Sequence, residues 1–220
     1  MNHIPFQASP YWTEHLLQLY QEPVNPVDVV FVGDSITQMF PTNELFQDFS
    51  SKNRGIQGDL SLGINITMEE RVCKLQPKVL YIMIGTNDVA YWGYNNQLTI
   101  DYIHDGLQYV RQLNKGCKII LCSVPPCCYY KGEHIRDDQS QYRPIEKIKS
   151  LNECLANYAK TQDDIYFFDA YHLLADQNSS LPLDLTLDGL HLNRKAYELL
   201  AKHLNPIILS LLNKIPFSLI

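Results

Sequence analysis

Four apolar runs, VDVVFVG (27–33), PKVLYIMIG (77–85), CKIILCSV (117–124) and DIYFFDA (164–170), set the strongest limit on how this chain can fold. Each is short, rich in β-branched and aromatic residues and nearly continuously apolar, so each predicts a strand covered on both faces. Strands with one wet face alternate; two covered faces belong to a parallel sheet between helices. The intervening segments supply those helices. Over 97–114, Ile103, Leu107, Val110 and Leu113 recur at helical spacing, with Gly116 as a stop. RPIEKIKSLNECLANYAK puts Ile145, Ile148, Leu151, Leu155 and Tyr158 on one face. From Asn193 on, Ala196, Leu199, Leu200 and Leu204 form a stripe that Asn205 and Pro206 are expected to interrupt or kink. Strands alternating with helices predict βαβ units with right-handed crossovers.

A chain of 220 residues, 45% hydrophobic and 19% charged, has enough apolar side chains to fill the core of one such domain over 1–220, and it contains no repeat or linker. A formal charge of −6 argues against the basic footprint that nucleic-acid binding requires. No apolar segment reaches the length of a membrane span, and the opening MNHIPFQASPYW lacks the basic-then-apolar pattern of a leader, so the chain reads as cytoplasmic. Six cysteines without CxxC spacing read as reduced thiols rather than a disulfide framework or zinc site.

Ligands of parallel sheets bind beyond the carboxyl ends of the strands. The first strand ends there in Gly33, Asp34 and Ser35, which places Ser35 as a nucleophile. Asp34 and Ser35 are also ordinary helix-cap residues, and strand-end loops cradle anions, although the glycine spacing of a phosphate loop is missing. A serine hydroxyl needs a base, and the base an acid that orients it. Asp188 and His191, three apart in LTLDGLHLN, can meet in one loop; the same spacing also suits a surface or capping role. His134 in a charged loop, His172 after a strand end and His203 within a helix offer no such setting. Gly58 in NRGIQGD and Asn87 in IMIGTND are candidate donors to an oxyanion, one through a backbone N–H unobstructed by Cβ, the other through its side-chain amide. A turn glycine and an Asx turn are the alternatives.

Taken in order, GDSI, NRGIQGD, GTND and DGLHLN resemble the sequence blocks of the SGNH hydrolases, also called the GDSL esterase and lipase family, over about 28–193. The resemblance implies a flavodoxin-like three-layer α/β/α fold with a parallel sheet of about five strands. It implies Ser35 as nucleophile, His191 as base, Asp188 as its partner, and an oxyanion hole made of the Ser35 N–H, Gly58 and Asn87, with no metal or organic cofactor. The forms NRGIQGD and DGLHLN are similar to those of small acylhydrolases such as platelet-activating-factor acetylhydrolase catalytic subunits and bacterial acetyl-esterases. Ile36 stands where the family name has Leu, without chemical consequence. Gly33 is expected to permit a tight turn and Asp34 to bind loop amides. No GxSxG is present, so the elbow of the α/β-hydrolases does not present this serine.

The expected partner is a small-molecule ester with a short acyl group, because polar residues interrupt the strand-end loops: Asn95 and Asn96 after YWGY, then Lys131, Glu133, His134, Arg136, Asp137 and Asp138 after CCYY. Tyr91, Trp92, Tyr94, Tyr129 and Tyr130 are candidate pocket walls or core closures. A lysophospholipase or thioesterase, needing a longer groove, and a non-catalytic small-ligand domain are the alternatives. The apolar tail 215–220 is expected to dock on the domain or to make a homodimer contact.

Overall fold

A computed structural model describes residues 8–91 and 93–213. The elements run α1 (Pro10–Gln21), β1 (Val29–Gly33), α2 (Ser35–Gln38), α3 (Thr42–Leu45), β2 (Ser51–Asn53), α4 (Ser61–Arg71), β3 (Val79–Met83), α5 (Thr86–Ala90), α6 (Asn96–Leu113), β4 (Lys118–Cys122), α7 (Asp137–Gln141), α8 (Ile145–Lys160), β5 (Ile165–Phe168), α9 (Ala170–Leu174) and α10 (Arg194–Leu211). All strand pairs are parallel, in the order β2-β1-β3-β4-β5. Helices α4, α6 and α8 pack side by side against one face. On the other, α10 reaches α2, where the Tyr197 hydroxyl donates to the Ile36 carbonyl at 2.7 Å. This is the three-layer α/β/α arrangement.

The four apolar runs are β1, β3, β4 and β5. Residues of β1 and β3 are wholly buried, as two covered faces require, and each Val, Ile or Leu fully removed from water there contributes roughly 1.5–3 kcal/mol. At the edge the pattern relaxes: Ile165, Tyr166 and Phe167 of β5 are only half-buried. The fifth strand, β2, is the polar tripeptide Ser51–Asn53 at the opposite edge, half-buried throughout and without an apolar signature. It exists because its backbone pairs with β1, Phe31 opposite Asn53.

Two helices differ from expectation. Pro206 neither ends nor splits α10, which runs unbroken to Leu211. Burial of Leu204, Ile207 and Ile208 along its inner face offsets the backbone hydrogen bond that proline removes. Leu113, expected on the buried stripe of α6, is the last residue of that helix and is 53% exposed. Helix α1 lacks a strong sequence signature; Ser9 caps it and Pro10 opens it, and Trp12, Leu16 and Leu19 pack against Ile56.

Chain order reverses at β1, since β2 lies on one side of it and β3 on the other. Gly33 and Met83 are level in the register, so the segments after β1 and β3 open onto the same crevice.

Candidate active site

Ser35 begins a one-turn helix at the end of β1, and Asp34 caps that turn by accepting the Ile36 N–H at 2.9 Å. The capping role and the hydroxyl that meets His191 thus fall to adjacent residues. Gly33 is needed for room rather than for a turn conformation: a Cβ there would sit 2.1 Å from Thr37 Oγ1 and 2.2 Å from the Met83 carbonyl. Burial, assisted by the nearby Asp59 and Asp88 charges, pushes the Asp34 carboxyl up to about 7 against the opposing pull of the Ile36 N–H and Arg143.

His191 stands across the crevice in the loop before α10. Its Nδ1 lies 2.9 Å from Asp188 Oδ2 and its Nε2 lies 2.9 Å from Ser35 Oγ. With Nδ1–H donated to the carboxylate, Nε2 carries the lone pair and accepts from the serine hydroxyl. The loop is held by its own backbone. Asp188 Oδ1 accepts the Leu190 and His191 N–H groups at 3.0 and 2.8 Å, and Thr186 Oγ1 accepts the Gly189 N–H and donates to the His191 carbonyl, both at 2.9 Å. Burial would raise the Asp188 carboxyl, but the His191 N–H, the imidazole and the Leu190 N–H outweigh it and hold the group below the usual carboxylate range. The carboxylate therefore stays charged beside a ring that gains charge by accepting a proton.

A third segment, reached through β2, carries Gly58. Arg54 N–H and Ile56 N–H donate to the carbonyls of Phe31 and Gly33 at 2.7 and 2.9 Å, extending the alignment past β2. Gly58 has φ +77°, a backbone conformation that glycine adopts without strain, and nothing lies within 4 Å of the position its Cβ would take. Asn87, on the first turn of α5, donates from Nδ2 to the Asp59 carbonyl at 3.0 Å, which leaves one amide hydrogen uncommitted to that bond. Among the described residues neither the Ser35 nor the Gly58 backbone N–H donates to a protein acceptor.

Beneath this rim lies a buried polar layer in which the motif residues Asp59 and Asp88 meet partners outside the motifs. Asp59 and Arg71, both wholly buried, pair at 2.6 Å, and Asp59 also accepts the Trp12 indole N–H at 2.9 Å. Arg71 donates further to the carbonyls of Arg54 and Gly33, at 2.5 and 3.4 Å, tying the ends of β1 and β2 together. Asp88 accepts both the backbone N–H and the hydroxyl of Ser61; burial pushes it up to about 6 even so. Arg143, buried between α7 and α8, donates to Asn87 Oδ1 at 3.0 Å.

The aromatic residues divide. Tyr91 and Tyr94 converge with Leu60, Leu62, Leu98 and Tyr102 on an apolar slot of about 40 Å³. Tyr129 and Tyr130 are instead spent on scaffolding: Tyr129 Oη donates to the Arg143 carbonyl and Tyr130 Oη to Asp176, both at 2.5 Å. Trp92 and the tail 215–220 lie outside the described residues. All six cysteines are free thiols, and burial pushes those of Cys73, Cys117, Cys122 and Cys127 up to about 12. Among the described residues no His, Cys, Asp and Glu cluster could hold a metal, and no helix is long and apolar enough to cross a membrane.

A parallel sheet that brings serine, imidazole and carboxylate into one hydrogen-bonded series at its switch point defines an acyl-transferring hydrolase scaffold. The chain belongs to the GDSL-like Lipase/Acylhydrolase family, whose model matches residues 31–199. It is 27% identical to an Escherichia coli N-acylneuraminate cytidylyltransferase over 82% of this chain, and spans 40% of that protein's length. It is 24% identical to the rat platelet-activating factor acetylhydrolase IB subunit alpha1, over 84% of this chain and 76% of the relative. A Streptococcus pneumonia structure provisionally designated a platelet activating factor superposes with a TM-score of 0.79 at 26% identity, covering 90% of this chain and 91% of the other.

Proposed function

We propose that the protein is a serine esterase that hydrolyses small carboxylic esters with short, acetyl-type acyl groups through an acyl-enzyme. The observation that carries this reading is the unbroken series Asp188–His191–Ser35, with 2.9 Å at each side-chain contact. Ser35 Oγ attacks the ester carbonyl carbon while its proton passes to His191 Nε2, and Asp188 stabilises the imidazolium. The oxyanion accepts hydrogen bonds from the N–H groups of Ser35 and Gly58 and from Asn87 Nδ2. His191 returns the proton to the departing alkoxide; water then attacks the acyl carbon by the same route and releases the acid and free Ser35.

Short acyl groups are favoured by the exposed polar residues Lys131, Glu133, His134 and Arg136 in the loop after β4, while the apolar slot lined by Asp88, Tyr91 and Tyr94 holds only about 40 Å³. The name of the rat relative, an acetylhydrolase, points the same way. A lysophospholipase or thioesterase activity is the second reading, favoured by the apolar lining of that slot and by the exposed Met39 and Leu187 beside the triad segments.

A fluorophosphonate is expected to modify Ser35 alone, and Ser35→Ala to lose both labelling and turnover; a variant that still hydrolyses esters at the normal rate would refute the reading. Among p-nitrophenyl esters, acetate and butyrate are expected to give the highest kcat/KM. A buried methylene is worth roughly 0.8 kcal/mol, so a kcat/KM that climbs steadily to dodecanoate selects the second reading.

A further inference from the structure

Arg143 is a buried cation whose hydrogen bonds all go to neutral oxygens. Its Nε donates to the Thr86 carbonyl and hydroxyl at 3.0 and 3.1 Å, one terminal nitrogen to the Gln139 carbonyl and side-chain oxygen at 3.3 and 3.1 Å, and the other to Asn87 Oδ1 at 3.0 Å. None of these acceptors is a carboxylate, although the residue is only 7% exposed. A buried guanidinium is normally hydrogen-bonded to a carboxylate; here Asp34 feels its charge only at a distance. The arrangement makes chemical sense if the anion is supplied during the reaction.

The contact with Asn87 says where that anion forms. The Asn87 amide is gripped from both ends: Oδ1 faces the guanidinium, and Nδ2 donates to the Asp59 carbonyl. Rotating the amide by half a turn would set Nδ2 against a donor and Oδ1 against a carbonyl oxygen, so both neighbours enforce the same orientation. Nδ2 is thereby held with its second hydrogen free, and the positive charge behind Oδ1 polarises the amide toward a stronger donor. The anchoring of Arg143 suits such a task. Pro144 restricts its backbone to extended conformations, and Tyr129 Oη holds its carbonyl at 2.5 Å.

We infer that Arg143 is a positioning residue of the oxyanion hole, fixing the Asn87 amide and placing behind it a positive charge that no carboxylate hydrogen-bonds. The inference rests on the esterase reading above and extends it to a residue outside the four motif blocks. Arg143 touches neither the serine nor the imidazole, so its effect has to pass through Asn87.

That route is tested by a double-mutant cycle on p-nitrophenyl acetate, with the protein's melting temperature and the stoichiometry of fluorophosphonate labelling recorded for every variant. Asn87→Ala should lower kcat by roughly a hundred- to a thousandfold. Arg143→Gln should lower kcat by roughly thirty- to three-hundredfold with KM changed less than about threefold, and Arg143→Lys, which keeps the charge but not the fork, should recover part of that loss. In the Asn87→Ala background, Arg143→Gln should cost less than about threefold more. Multiplicative losses, a defect confined to KM, or wild-type kcat in Arg143→Gln would overturn the assignment. If Arg143→Gln does not fold, the cycle is run with Arg143→Lys and the same criteria apply. Complete labelling of Ser35 with multiplicative losses removes the role of Arg143 alone, whereas a wild-type protein that takes up no label overturns the esterase reading and this inference together.

Discussion

Of the three Asp-x-x-His units in the chain, two have nearly the same internal geometry. Asp169 follows β5 and accepts the His172 N–H at 3.1 Å and its Nδ1 at 2.7 Å; Asp188 accepts the His191 N–H at 2.8 Å and its Nδ1 at 2.9 Å. What differs is the other side of the ring. The His172 side chain is 79% exposed, and the nearby Ser123 hydroxyl turns to Asp169 rather than to the imidazole. His191 is 22% exposed and faces Ser35. The spacing builds an oriented imidazole in these two segments but not inside α6, where Asp101 accepts from Gln97 and His104 turns to Tyr158 and Gln108, and the fold decides whether an oriented imidazole meets a nucleophile. His172, which has no catalytic setting in the sequence, does have an acid partner; what it lacks is a serine.

The sharpest way to break this comparison is to delete each ring. His191→Ala should lower kcat by roughly four to six orders of magnitude, with Ser35→Ala adding little in the double variant, while His172→Ala should leave ester turnover within about twofold. Steady-state kinetics on p-nitrophenyl acetate decides it; a comparable loss from His172→Ala would make the second unit part of the machinery. The acids come next. Asp188→Asn should cost roughly three to four orders in kcat by disturbing the tautomer, whereas Asp169→Asn should spare turnover and show itself, if at all, as a melting temperature lower by a few degrees, because Asp169 caps α9.

The smallest expected effect contrasts Asp188 with Asp34 and concerns stability against pH. Asp188, held below its ordinary range, contributes stability that is present above about pH 4 and lost as acid protonates it. Asp34 has the opposite sign: its carboxyl is pushed up to about 7, so its contribution is full below about pH 4 and declines as pH rises through 7. Asp34→Asn preserves an acceptor for the Ile36 N–H but cannot ionise. Between pH 4 and 8 the melting temperature of the wild-type protein should fall relative to that of Asp34→Asn; parallel curves would show that Asp34 ionises normally.

The fold was legible wherever one segment carries its own pattern. The runs of β1, β3, β4 and β5 declare two covered faces by composition alone, and α6 and α8 declare themselves by spacing. The strand Ser51–Asn53 has no such pattern, since a polar edge strand is defined by the neighbour it pairs with. Pro206 misled for a related reason: local chemistry argues for a break, and burial of the surrounding helix face overrides it. The candidate site divides similarly. Ser35, Gly58, Asn87, Asp188 and His191 each occupy a short motif at a strand end or in a loop, and the crevice gathers them. Trp12, Arg71 and Arg143 carry no local mark. Trp12 meets Asp59 across 47 positions and Arg143 meets Asn87 across 56, and a buried ion pair such as Asp59–Arg71 has its partner chosen by tertiary packing. A tryptophan near the start of a chain and an arginine before a proline are unremarkable until the sheet is assembled.

The contact between Ser35 and His191 spans 156 positions. A ribosome adding roughly 5–20 residues per second takes on the order of ten to thirty seconds to cover that distance. Throughout that interval the emerging polypeptide displays a serine with no base beside it, and Tyr197, which braces the serine turn through the Ile36 carbonyl, has yet to be made. On the proposed reading, hydrolytic competence arrives with α10, so fragments from translation interrupted before it are chemically silent and activity reports synthesis through α10.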